Sequence, residues 1–152
     1  MIKIEVLIKD KNWKKYLSNP NRYLNTQAKK INLKKYFKSK LINISILLTG
    51  NNDLKFLNKK FRKKNKTTDV LSFPSYDQNI MKAKLKSQKD LYLGDIALNL
   101  YKINKTKNKF KSEFDKLWVH GLVHLMGYRH YKNKDFFKMK KIEDKIIKQL
   151  KC

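Results

Sequence analysis

All three histidines of the 152-residue chain fall in one stretch, His120-Gly121-Leu122-Val123-His124-Leu125-Met126-Gly127-Tyr128-Arg129-His130. On a helix, His120 and His124 stand four residues apart and project from one face. That spacing lets two imidazole nitrogens reach one metal ion at ~2.0–2.1 Å. Gly127 can take the left-handed conformation that ends a helix, so that the chain turns and His130 returns as a third ligand. This is the spacing of the long zinc-protease signature. Three imidazoles suit one zinc ion, or another divalent transition metal, and leave a tetrahedral position for water, as a catalytic site needs. A closed structural site would want a fourth Cys or His, and the one cysteine is Cys152, at the far end.

The neighbours of the histidines sharpen this reading. Leu117, Trp118, Val119, Leu122, Val123, Leu125 and Met126 make the helix apolar nearly all round. Two unpaired imidazoles buried there would each forfeit hydrogen bonds at a cost of ~1–3 kcal/mol, which a shared metal removes. A satisfied core or surface histidine is the better account of a lone His than of this cluster. Zinc proteases place a Glu general base directly after the first histidine. Here Gly121 has no side chain, which argues against a metalloprotease.

The elements that must position these residues can be read from periodicity. Residues 2–8 alternate as a strand, and Leu41 to Leu48 is a second, central one. Between them Ser18-Asn19-Pro20 opens a helix expected to run to about Phe37. Gly50 to Asp53 caps a short helix carrying Leu54, Leu57 and Phe61. Val70 to Phe73 forms a strand stopped by Pro74, and Tyr92 to Leu98 another. Residues 75–90 are polar and Lys-rich and read as a loop. Ser112 with Asp115 resembles a capping box for a helix to Gly127. A last helix from Asn133 lines up Phe136, Met139, Ile142, Ile146 and Leu150. The expected fold class is α+β: one domain over 1–152, a small mixed sheet packed with helices, and a three-histidine metal site at the end of a buried helix.

Composition narrows the partners. The chain has 38 Lys+Arg against 12 Asp+Glu, a formal net charge of +26. Only Arg22, Arg62 and Arg129 are arginines, so the surplus is almost entirely lysine. Part of that bias is what an A+T-rich genome writes into any protein. A charge this large nevertheless repels itself and calls for a polyanionic partner, nucleic acid first. Lys clusters at 29–40, 55–66 and 102–116 suit a phosphate backbone read without sequence preference. No run approaches the ~20 apolar residues of a spanning helix, and the N-terminus reads as a strand rather than a signal peptide. With no pair of cysteines to oxidise, the expected location is the cytoplasm, with no membrane partner.

The segment HGLVHLMGYRH resembles the signature of the YbeY family of bacterial endoribonucleases and rRNA maturation factors. Leu57-Asn58-x-x-Phe61-Arg62 with Thr68-Asp69-Val70-Leu71-Ser72-Phe73-Pro74 resembles a second diagnostic stretch, and Leu93-Gly94-Asp95-Ile96 a third. Met139 and Glu143 match a further pair. The resemblance implies one zinc ion held by His120, His124 and His130, and an important arginine at Arg62. It implies an endoribonuclease directed at single-stranded RNA, acting in maturation of the small-subunit rRNA 3′ end and in ribosome quality control, with ribosomal protein partners. On that reading Arg62 clamps the scissile phosphate, while Lys59, Lys63 and Ser72 contact substrate. Asp69 lines the cleft or ends a strand, Asp95 is a structural strand-end carboxylate, Trp118 is core, and Tyr76 offers a surface for a base. The chain departs from the family at Arg129, where Asp usually precedes the third histidine. That departure, and the missing general base, favour the alternative of a non-catalytic RNA-binding assembly factor with a structural metal.

Overall fold

The computed structural model describes residues 1–38, 40–130 and 132–152. Four strands, β1 (Ile2–Ile8), β2 (Leu41–Thr49), β3 (Val70–Pro74) and β4 (Asp90–Asn99), form one sheet in the order β1-β2-β4-β3. β1 and β4 flank β2 in parallel, and β3 closes the edge antiparallel to β4. The fold is thus α+β with a small mixed sheet, as expected. Among the described residues there are six α-helices: α1 (Pro20–Ala28), α2 (Lys34–Phe37), α3 (Asn51–Arg62), α4 (Gln78–Ser87), α5 (Phe110–Leu125) and α6 (Asn133–Leu150). Of these, α1, α3 and α5 pack on the sheet, and α6 packs on α5.

Alternation decides which face is covered. Ile2, Ile4, Ile42, Ile44, Ile46 and Leu48 point into the main core, beneath α1, α5 and α6. α3 covers only a second, smaller cluster, with Leu54 against Leu71 and Ala97. Lys3, Glu5, Tyr92 and Asp95 on that side stay exposed. Asp95 therefore lies mid-strand, hydrogen-bonded by the Tyr92 hydroxyl, and not at a strand end. In β4 the buried positions change phase, from Leu91 and Leu93 to Ile96 and Leu98. A bulge absorbs the change, since Asn43 pairs with Tyr92 but Ile44 with Gly94. Gly94 has φ +138°, and a Cβ there would sit 2.2 Å from the Phe73 carbonyl oxygen, so only glycine fits.

Two segments differ from the sequence expectation. The helix expected to Phe37 stops at Ala28, because Ile31 and Leu33 are both buried, and residues two apart cannot share a helix face. The break is held from α6: Asn32 N–H donates to Gln149 Oε1 and Lys30 Nζ to the Leu150 carbonyl. The expected loop at 75–90 contains α4, whose cap is Asp77 accepting from Ile80 N–H at 2.8 Å. Its apolar stripe is only Met81 and the half-buried Leu85, too little for periodicity to register. At α6, Phe136 is exposed and leaves the apolar line expected of it.

Asp115 is no capping residue, since α5 begins at Phe110 without a side-chain cap. It is half-buried against α1, where Oδ2 accepts from Tyr23 Oη at 2.9 Å and Gln27 Nε2 at 3.0 Å, while Oδ1 accepts from Trp118 Nε1 at 2.9 Å. Burial raises its pKa against the lowering effect of those donors. The folded state then holds this proton more tightly than the unfolded chain does. Its contribution to stability is complete below the ordinary carboxylate range and is lost as pH rises through the raised value. Asp115→Asn turns an amide N–H toward a donor, and about 1–3 kcal/mol of stability should be lost. Urea unfolding across pH tests this: the deficit against the parent should be largest in acid and shrink as pH rises.

Candidate metal centre and cleft

α5 carries the first two histidines into the site, and the end of α5 places the third. Tyr128 N–H donates to the Val123 carbonyl at 3.3 Å and Gly127 N–H to the His124 carbonyl at 2.9 Å. Gly127, at φ +99°, takes the left-handed conformation that the sequence anticipated, and the two bonds together close the helix. The same turn aims the Tyr128 carbonyl at His124 Nδ1, 2.9 Å away. From α6, Glu143 Oε1 reaches His120 Nδ1 at 2.7 Å. Gln78 of α4 clamps the turn from outside, its Nε2 donating to the Gly127 carbonyl at 2.8 Å.

These partners settle which nitrogen each ring offers. A carbonyl only accepts, so His124 Nδ1 carries the proton and Nε2 a lone pair. Burial and the adjacent His120 push the His124 pKa down to about 4, so it is neutral near pH 7. The Glu143 carboxylate fixes the Nδ1–H of His120 in the same way. The two Nε2 atoms then face each other 3.1 Å apart. Two lone pairs at that distance repel, and a cation bonded to both at ~2.0–2.1 Å satisfies them. His130, exposed at the mouth, completes a group whose ligand atoms all lie within 4.8 Å of one another. Among the described residues this is the one cluster of three metal-ligating side chains, and its donor set fits a divalent transition metal.

Gly121 has a structural reason. A Cβ there would meet Ile96 Cγ2 at 2.8 Å, so the missing side chain is what lets α5 lie on β4. Ser72 of β3, buried at the cleft wall, donates its hydroxyl to the Gly121 carbonyl at 3.4 Å. It pins β3 to α5 at the base of the site.

The three histidines open onto a cleft of about 490 Å³, also lined by Arg62, Asp69, Ser72, Lys64, Lys66 and Arg129. Arg62, the last residue of α3, donates Nη2–H to the Ser72 carbonyl at 2.6 Å, and its guanidinium carbon lies 5.7 Å from the Phe73 ring centroid. One of five N–H donors is thereby used to anchor the group at the cleft wall. Lys59 and Lys63 are exposed and do not line the cleft, whereas Lys64 and Lys66 do. Lys63 takes a left-handed conformation at φ 61° and turns the chain back. Buried Asn58 then holds the return: its carbonyl accepts from Lys63 and Lys64 N–H, and its amide donates to the Lys66 carbonyl at 2.9 Å. Asn99, fully buried, continues the loop's support, donating to Asn51 Oδ1, Thr67 Oγ1 and the Thr68 carbonyl. Trp118 is core, while Tyr76 is half-buried against the core with Lys84 at 5.9 Å from its ring centroid. The roles of Glu143 and Asn99 are not legible in the sequence, since a carboxylate one helix away carries no local signal of its target.

The chain matches the family model described as endoribonuclease YbeY over residues 4–151. Endoribonuclease YbeY of Pelagibacter ubique (strain HTCC1062) is 43% identical over 155 aligned residues, covering 99% of this chain and 97% of that one. Endoribonuclease YbeY of Wolbachia sp. subsp. Drosophila simulans (strain wRi) is 35% identical, covering 97% of this chain and 95% of that one. A solution structure from Thermotoga maritima superposes with TM-score 0.53 at 24% identity, covering 99% of this chain and 89% of that one, and shares the fold. No helix among the described residues is long and apolar enough to cross a membrane. With the family model spanning residues 4–151 and a relative 43% identical over 99% of the chain, this chain belongs to the YbeY endoribonuclease family.

Proposed function

We propose that this chain is a zinc-dependent endoribonuclease, acting as one domain over 1–152, that cuts single-stranded RNA. Its substrate is the 3′ end of small-subunit rRNA, in maturation and ribosome quality control, in the cytoplasm and with ribosomal protein partners. The carrying observation is the convergence of two imidazole lone pairs 3.1 Å apart in the cleft that Arg62 lines. Zinc bound there would supply Lewis acidity toward a phosphate oxygen and a water of pKa about 7. His120, His124 and His130 would hold the ion, and Glu143 and the Tyr128 carbonyl fix the orientation of the first two rings. Arg62, anchored on Ser72, presents its remaining donors to the scissile phosphate and stabilises charge gathering on its oxygens. Lys64, Lys66 and Arg129 attract the backbone into the cleft, and Lys59 and Lys63 meet it outside. Ser72 supports Arg62 and α5, its carbonyl accepting from Arg62 and its hydroxyl proton being donated to the Gly121 carbonyl. The exposed His130 leaves the site open to water, which favours catalysis over a purely structural metal.

The test is cleavage of a single-stranded RNA carrying the small-subunit 3′ end, by metal-loaded parent and His124→Ala purified identically. The variant should lose at least about a hundredfold in rate and most of its bound zinc, since even supporting partners of metal ligands are worth 10–100-fold. Equal cleavage by both would expose a contaminating nuclease. Cleavage by neither, with RNA still bound, would favour the assembly-factor reading.

A further inference from the structure

The outer face of α3 leaves two phenylalanines in water, Phe56 at 62% exposure and Phe61 at 53%. Exposed aromatic rings forgo the free energy of burial. Lys60 Nζ lies 5.9 Å from the Phe56 centroid and 5.3 Å from that of Phe61. Phe61 also meets Phe73 at 5.3 Å and 68°, an edge-on contact that holds its ring. Arg62 lies against the same Phe73 and lines the histidine cleft, so the aromatic pair stands directly beside the edge of the cleft that Arg62 forms.

The surrounding charge selects the occupant. Lys55, Lys59, Lys60 and Lys63 are exposed along this segment, while Asp53, the one acid of α3, is engaged by Lys9 and the Thr49 hydroxyl. The partner of such a face carries many negative charges and also offers flat apolar surfaces. Polyphosphates offer only the charge, and a duplex keeps its base faces covered by stacking. A single-stranded nucleic acid offers both. Tyr76 does not compete for the role, being half-buried against the core.

We propose that Phe61 is a stacking platform for the base next to the phosphate held at Arg62, with Lys60 and Phe56 extending the strand's path along α3. Phe61 is a positioning residue: it sets which stretch of strand lies across the cleft. The proposal rests on the RNA-cutting reading above.

The experiment measures fluorescence anisotropy of two labelled oligomers of equal length and charge, a 2′-O-methyl oligoadenylate and an abasic ribose-phosphate strand. Parent, Phe61→Ala, Phe61→Trp and Lys60→Ala are compared over a salt series. Phe61→Ala should weaken oligoadenylate binding roughly tenfold, leave the abasic strand unchanged and keep the salt slope, and Phe61→Trp should restore binding. Lys60→Ala should weaken both strands and lower the slope by about one. An equal loss on both strands, or no loss on oligoadenylate, overturns the stacking platform while the RNA reading stands. A parent that binds neither strand overturns both together.

Discussion

Glu143→Gln is expected to bind zinc ten- to a hundredfold more weakly than the parent, with the fold retained. Glu143 Oε1 is 2.7 Å from His120 Nδ1 on a different helix, and the pair is only partly exposed, at 32% for His120 and 20% for Glu143. The carboxylate does two things for the ring: it fixes the tautomer that leaves Nε2 bare, and its charge makes that nitrogen a better donor to a cation. Glutamine can still accept the hydrogen bond but supplies no charge, and its amide can flip to present a competing donor. Losing such a partner typically costs 10–100-fold in metal affinity. Competition against a chromophoric zinc chelator measures it, and RNA cleavage should fall in step at limiting zinc. An affinity within twofold of the parent would mean that the contact is only a surface ion pair, worth little by itself.

Gly121→Glu, which rewrites the sequence to the protease signature, should yield no peptidase and a severely destabilised protein. The helix face at Gly121 is in contact with Ile96, which is fully buried, and a Cβ would already be 2.8 Å from its Cγ2. Gly121→Ala therefore has to push α5 off β4 and should cost about 1–3 kcal/mol as overpacking. Glutamate adds a carboxylate with no room to reach water, and a loss beyond about 4 kcal/mol follows. Because α5 carries His120 and His124, even the alanine variant should lose metal affinity as the helix shifts. Urea melts and chelator competition on the two variants check both halves. An alanine variant as stable as the parent would show that the helix–sheet contact is looser than its geometry.

Within the site, the helical residues could be read in sequence because their relation is covalent. His120 and His124 are four apart on a helix that apolar neighbours make certain, and Gly127 announces the turn that brings His130 back. The same holds for β1 and β2, whose alternation encodes the buried face directly. Where the sequence reading failed, the determining partner came from elsewhere in the chain. The capping-box spacing at Ser112 and Asp115 is real, yet Tyr23, Gln27 and Trp118 draw the carboxylate inward. Ile31 and Leu33 break a helix that composition would have continued, because both sites face the core.

The lysines make the contrast sharpest. Sequence alone determined that the segment after α3 is basic, that three histidines share a metal-binding spacing, and that an arginine stands beside a short strand. It could not separate Lys59 and Lys63 from Lys64 and Lys66, because all four are solvated cations with the same local surroundings. The tertiary structure separated them through one buried amide: Asn58 holds the Lys66 carbonyl and folds the chain back over the cleft. Glu143 and Ser72 follow the same rule. A hydrogen bond depends on distance in space, and the sheet and helix packing that bring these groups within 3.5 Å of His120 and Gly121 exist only once the chain has folded.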